Sequence, residues 1–254
     1  VNHLFEHKFW GKSISDLLEW LKSKSKNNWI FLDLETTGLP SDPYEIQITQ
    51  VSCIATKYDF ESNSFKKIET FNQKIKLTDK TKSIFNRKDS KIKKILSFNR
   101  YGSGDHTYLE ENDVLNSFLS FISKYENSNF VIQNASFDMR FLNTRSDIKF
   151  QNEIIDTKQI LQLFYIPTLQ SLAEGDIKYQ EMINRIGTSD RDNGLVSSSL
   201  SKIGPSLGIN MSGYHDGLAD CEIMMEMLQK VIQFLKDNKY VDIKKFQMER
   251  IKTK

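Results

Sequence analysis

Residues Trp29-Ile30-Phe31-Leu32-Asp33-Leu34-Glu35 run apolar through both alternating positions and end on two carboxylates. A strand apolar on both faces must be covered on both sides, so Ile30–Leu34 predicts a central strand of a layered sheet. The two-residue period puts Asp33 and Glu35 on one face, roughly 7 Å apart along the strand. Carboxylates paired at the end of a core strand repel each other and lose hydration, a cost that a divalent cation removes. The competing reading is that Glu35 opens a solvated turn, since Thr36-Thr37-Gly38-Leu39-Pro40 has the composition of one.

The rest of the chain supplies partners for that strand. Apolar alternation predicts strands over 46–55 and 67–76, with short strands over 130–133 and 154–156. Helical spacing predicts helices over 111–125, 157–165 and 218–235. Three strands followed by alternating helices and strands is an α/β order with a mixed sheet, its first strands joined by short turns as an antiparallel meander. Residues 1–28 read as a helical extension capped by Ser13 or Ser15, 29–235 as the main domain, and 236–254 as a basic tail. The stretch 174–199 is a polar insertion without an assigned structure.

Hydrophobic content of 39% and aromatic content of 11% suit a soluble globular chain. No apolar run approaches the ~20 residues of a membrane span, and the N-terminus lacks the apolar segment of a signal peptide. A chain that starts at Val1 rather than Met is expected to be a processed product or a fragment. Cys53 and Cys221 lie in apolar elements and read as reduced core residues of a cytoplasmic protein. The net charge is +2, but residues 74–100 hold ten Lys or Arg against Asp79 and Asp89, which leaves the remainder at −6. Such a block points to a polyanionic partner, with a solvated face as the alternative.

Further acids fall on faces where a solvated carboxylate does not belong. Asp220 lies four residues before Met224 on the apolar stripe of helix 218–235, so it points inward. A helix N-terminus favours an acid by roughly 0.3–1 kcal/mol, which accounts for its place near the start but not for its direction. Asp138 begins a helical stripe with Phe141 and Leu142, where a capping role competes. His215 precedes Asp220 by five residues and is within reach of the same site.

Asp33-Leu34-Glu35-Thr36-Thr37-Gly38-Leu39, Asn134-Ala135-Ser136-Phe137-Asp138 and His215-Asp216-Gly217-Leu218-Ala219-Asp220 resemble the three motifs of the DEDDh exonucleases. Ile155-Asp156-Thr157 and the stretch 200–209 fit the same family, and the resemblance covers residues 29–235. Gln133 and Ser52 depart from frequent family residues without removing a ligand. The resemblance implies a ribonuclease-H-like fold and release of nucleoside 5′-monophosphates from a nucleic-acid 3′ end with two Mg²⁺ or Mn²⁺ ions. It implies that Asp33, Glu35 and Asp220 hold one ion, that Asp33 and Asp138 serve the second, and that His215 is the general base. Thr36, Thr37, Leu39 and Asn134 are expected at the terminal nucleotide, with Phe137 stacking on a base. Lys91, Lys93 and Lys94 are expected to track the backbone, with Phe85, Phe98 and Tyr101 as stacking surfaces or core.

Hard oxygen donors agree with Mg²⁺ or Mn²⁺. Single-stranded DNA is favoured as substrate, with an exoribonuclease as the enzymatic alternative; a polymerase partner is left open. An inactive binding module is disfavoured by the complete set Asp33, Glu35, Asp138, His215 and Asp220, and a DDE-type recombinase needs neither the Asp33/Glu35 spacing nor His215.

Overall fold

The computed structural model describes residues 8–39, 45–86, 91–102, 107–145 and 150–252. Six strands form one mixed sheet: β1 (Asn28–Thr36), β2 (Ile48–Asp59), β3 (Ser64–Ile75), β4 (Tyr108–Leu109), β5 (Asn129–Ile132) and β6 (Ile154–Asp156), in the order β4-β3-β2-β1-β5-β6. β1, β2 and β3 are the expected antiparallel meander. β5 adds in parallel to the other edge of β1, and β6 to β5, through helical crossovers.

β1 is thus internal to the sheet, and its side chains alternate between two cores. Trp29 and Phe31 join the core on one face, while Ile30, Leu32 and Leu34 join the core on the other. The first face is covered by α1 (Ile14–Lys24) and the long α10 (Gly217–Asp237), the second by α4 (Glu111–Ser123) and α5 (Ala135–Arg145). Asp33 shares the parity of Trp29 and Phe31, so it faces α10. A register shift between Glu35 and Thr36 ends regular pairing with β2 directly after the acid pair.

Residues 8–28 supply part of this core. Ser13 caps α1 in a reciprocal capping box with Asp16, and Ile14, Leu17, Leu18 and Leu21 are buried against the first face. The predicted helix at 157 is longer than expected. It runs through α6 (Thr157–Ile160), a π turn (Leu161–Tyr165) and α7 (Ile166–Ala173), with every residue of the π turn buried.

The stretch 174–199, unassigned from sequence, is ordered structure. It contains α8 (Ile177–Ile186), capped by Asp176, then a 3₁₀ turn (Asp190–Asp192). Asp192 ties the segment down by accepting from Gln162, Ser198 Oγ and the Ser198 N–H. The basic block folds into α2 (Asp79–Phe85) and α3 (Lys91–Phe98), and α9 (Leu200–Ser206) precedes the last motif. The tail carries α11 (Lys244–Lys252), whose Gln247 and Arg250 are buried and donate to the Leu163 and Val196 carbonyls. Among the described residues no helix is long and apolar enough to cross a membrane.

Candidate active site

The acids of the three motifs meet at the end of β1. Asp33 and Glu35 come from β1, Asp138 from the first turn of α5, and Asp220 from the first turn of α10. Glu35, Asp138 and Asp220 are buried and Asp33 is half-buried. Donor atoms of Glu35, His215 and Asp220 all lie within 4.8 Å of one another. Asp138 is fixed to β1 itself, since its Oδ1 accepts the buried Leu34 N–H at 3.0 Å.

Each acid is held in place by its own element. α5 begins where Asp156, at the end of β6, accepts the N–H groups of Asn134 and Ala135, with Asn134 in the left-handed region at φ 67°. α10 is capped by Asp216, which accepts the Leu218 N–H. The helix seats on the sheet because residue 217 is glycine. A Cβ there would lie 2.6 Å from Ser52 Oγ and 3.4 Å from Asp33 Oδ2. Ser52 is the register partner of Asp33 on β2, so the α10 N-terminus presses directly over the acid pair.

The electrostatics is that of a crowded anionic pocket. Burial, assisted by the Asp216 carboxylate, pushes Asp33 up to about 7. Burial and then Asp33 push Asp220 up to about 8, against the opposing His215 N–H and Arg100. Glu35 is driven well above the ordinary carboxylate range by burial and by the charges of Asp33, Asp220, Asp138 and Asp216. Asp138 rises for the same reasons, burial first and Asp33 second, although the Leu34 N–H opposes it. Converging oxygen donors that resist ionisation on their own are the donor set a hard divalent cation stabilises.

His215 stands at the rim in the left-handed region at φ 70°. That turn directs its N–H onto both carboxylate oxygens of Asp220, at 3.2 and 3.3 Å. Its ring meets two aromatics, 3.9 Å from the Tyr214 centroid and 4.3 Å from that of Phe98. Burial and then the Arg100 charge hold the imidazole below its ordinary value, which keeps it an unprotonated acceptor near neutrality.

The expected substrate residues line this end of β1 in different ways. Leu39 is exposed, and Phe137 and Asn134 are half-buried beside Asp138. Thr36 and Thr37 are buried and serve the loop: the Thr36 hydroxyl donates to the Gly38 carbonyl, and Thr37 Oγ1 accepts the Gln47 N–H.

The basic block divides. Lys74 is not a surface residue: 3% exposed, it lies 3.7 Å from Asp216 and donates to the Arg100 carbonyl. Lys76, Lys80 and Lys82 pair with Glu110, Glu45 and Asp79. Arg87, Lys88 and Asp89 lie outside the described residues. Lys91, Lys93 and Lys94 are exposed on α3. Phe85 and Tyr101 pack in a small core with Leu77, Ile92 and Leu96, whereas Phe98 is 65% exposed.

Several functional neighbours escape a reading of the sequence. Asp216 acts on Asp33, Glu35 and Asp220 although it looks like an ordinary helix cap. The Lys74 and Asn99 contacts join segments far apart in the chain; Asn99 donates to the Thr36 carbonyl at 3.1 Å.

Residues 13–186, about two thirds of the chain, match the family model for the exonuclease domain of family B DNA polymerases. His215 and Asp220 lie beyond the matched span. No curated protein matches by sequence search alone. Among solved structures, exonuclease I is similar at TM-score 0.57 and 18% identity, covering 84% of this chain and 43% of that one. The complex of E. coli exonuclease I with a dT13 oligonucleotide gives 0.54 and 18% over 80% of this chain and 40% of the other. The nuclease domain of 3′hExo, a DEDDh family member bound to rAMP, gives 0.52 and 14% over 85% and 95%. These likenesses establish the shared fold, and the chain spans about two fifths of the length of exonuclease I. By the matched family model, the chain belongs to the family of the DNA polymerase family B exonuclease domain.

Proposed function

We infer that the chain removes nucleoside 5′-monophosphates one at a time from the 3′ end of single-stranded DNA, with Mg²⁺ or Mn²⁺ bound by its acids. The observation that carries this reading is the convergence of Glu35, His215 and Asp220 donor atoms within 4.8 Å, beside two further acids from β1 and α5. Asp33, Glu35 and Asp220 would hold one ion, and Asp33 and Asp138 a second. A pair of divalent ions supplies charge stabilisation for the attacking and leaving oxygens of an in-line displacement.

The remaining steps belong to side chains of this protein. A ring nitrogen of His215 takes the proton of the attacking water, a role suited to an imidazole that burial keeps neutral. Leu39 and Phe137 offer apolar surface to the terminal nucleotide, with Asn134 alongside; Thr36 and Thr37 hold the loop that presents Leu39. Lys91, Lys94 and Phe98 fall on one stripe of α3, at the three- and four-residue spacing of a helical face. Phe98 meets His215, so this stripe leads from the site along α3 as a phosphate track.

DNA is favoured as the strand that E. coli exonuclease I holds as dT13. The rAMP on 3′hExo supports the alternative, trimming of RNA 3′ ends. Digestion of end-labelled single-stranded DNA, duplex DNA and RNA side by side, with and without chelator, tests the reading. The expected result is metal-dependent release of 5′-mononucleotides, fastest from single-stranded DNA. Faster release from RNA would move the assignment to an exoribonuclease, and internal cutting would overturn it.

A further inference from the structure

The turn that follows α3 is fastened to the catalytic centre from two sides. Asn99, 9% exposed, donates to the carbonyl of Thr36, the residue after Glu35. Buried Lys74 donates to the carbonyl of Arg100 and faces Asp216, the residue after His215. Arg100 adopts φ 51°, which turns its carbonyl back toward Lys74. Phe98 therefore sits on a turn whose backbone is tied to β1, to β3 and to the His215 loop. Its ring meets the imidazole at 4.3 Å, tilted by 57°.

The imidazole also meets its chain neighbour Tyr214, at 3.9 Å. The His215 backbone is fixed by its N–H on Asp220, but that bond leaves the side-chain torsions free. A loop imidazole free to rotate would spend much of its time out of reach of a water over the acids. Tyr214 belongs to the same loop and moves with it, whereas Phe98 reaches the imidazole from the anchored turn that follows α3.

We propose that Phe98 is a positioning residue for His215: its ring packs on the imidazole, limits its rotation and holds a ring nitrogen toward Glu35 and Asp220. This rests on the exonuclease reading for the role of His215, but the contact itself does not. It assigns the last residue of the basic helix to catalysis rather than to base stacking. Holding a reacting group within about 1 Å of its productive place is worth on the order of 10²-fold in rate, which sets the scale of the effect.

The test compares Phe98→Ala, Phe98→Leu and Phe98→Tyr with the parent on single-stranded DNA. In parallel, the His215 imidazole resonances, assigned with His215→Gln, are recorded by NMR on metal-free protein. Positioning predicts that Phe98→Ala lowers kcat by roughly 10- to 100-fold with KM nearly unchanged. Phe98→Leu should fall between, and Phe98→Tyr should restore the rate. The imidazole protons should lose the ring-current displacement due to Phe98 in the Ala and Leu variants and keep it in Phe98→Tyr. A raised KM with kcat retained would make Phe98 a base platform and overturn the proposal, as would imidazole resonances that do not move. Should the parent cleave nothing, the exonuclease reading falls and the NMR arm alone decides whether Phe98 fixes the ring.

Discussion

Asp138 accepts the backbone N–H of Leu34 at 3.0 Å, so an acid on one helix is bonded to the strand between two other acids of the site. The bond makes Asp138 both a donor for a cation and a structural fixture of β1. Those two duties separate on substitution. Asp138→Asn keeps an oxygen for Leu34, whereas Asp138→Ala leaves a buried N–H unsatisfied, at a cost of about 1–3 kcal/mol. The Ala variant should be less stable than the Asn variant by that amount in denaturant titrations, with activity strongly reduced in both. Asp33→Ala should lose more activity than Asp138→Ala, because Asp33 is assigned to both ions. Full activity in either variant would remove the residue from the site.

Metal-free protein should weaken as pH rises. Asp33 and Asp220 have folded-state values of about 7 and about 8, against 3.8 for an ordinary aspartate. The folded chain therefore binds more protons than the unfolded chain between those values. The contribution is fully present below the lower value and is lost as pH climbs through the upper ones. Melting in chelator at about pH 5 and about pH 8 checks the sign, the lower Tm being expected at the higher pH. Added Mg²⁺ should raise Tm more at the higher pH, where the ligands ionise.

His215→Ala should lower kcat by ~10²–10⁴-fold while leaving DNA binding nearly intact. In the parent, the acid limb of the rate profile should lie below the ordinary histidine value of about 6.5, since burial and Arg100 both disfavour the charged ring. Arg100→Gln removes one of those causes, so the limb should move upward in pH. A profile unchanged in both variants would mean that another group takes the proton.

Replacing Lys91, Lys93 and Lys94 with Gln should raise KM for long single strands. It should also flatten the salt dependence, by about 0.7 in log–log slope for each lost phosphate contact. A dinucleotide, too short to reach α3, should be cleaved at nearly the parent rate. An unchanged salt slope would leave these lysines as a solvated face.

The sequence reveals those parts of the site that follow a local period. Asp33 and Glu35 are legible because a strand repeats every two residues, and Asp220 because the stripe through Met224 fixes its direction. Lys74 could not be recognised as buried, because its alternation in β3 is that of a half-exposed strand and its partner Asp216 stands far along the chain. The spacing of Phe98 fits a stacking surface or a core position, and only the fold brings it to His215. In the stretch 174–199, Tyr179, Met182, Ile183 and Ile186 carry the spacing of a helical face that the polar composition hides.

The seating of α10 over the acid pair also orders how the chain can assemble. β1, β2 and β3 pair with near neighbours in sequence and can form while distant segments are still unstructured. Asp33 and Glu35 are then open to water on the face that α10 will cover, and their mutual repulsion is screened. Docking of α10 brings Asp220 in and removes that water, so the electrostatic cost of the centre is incurred when this helix closes. A cation able to enter before that step shifts the cost off the closing helix, and refolding should then be faster in its presence than in chelator.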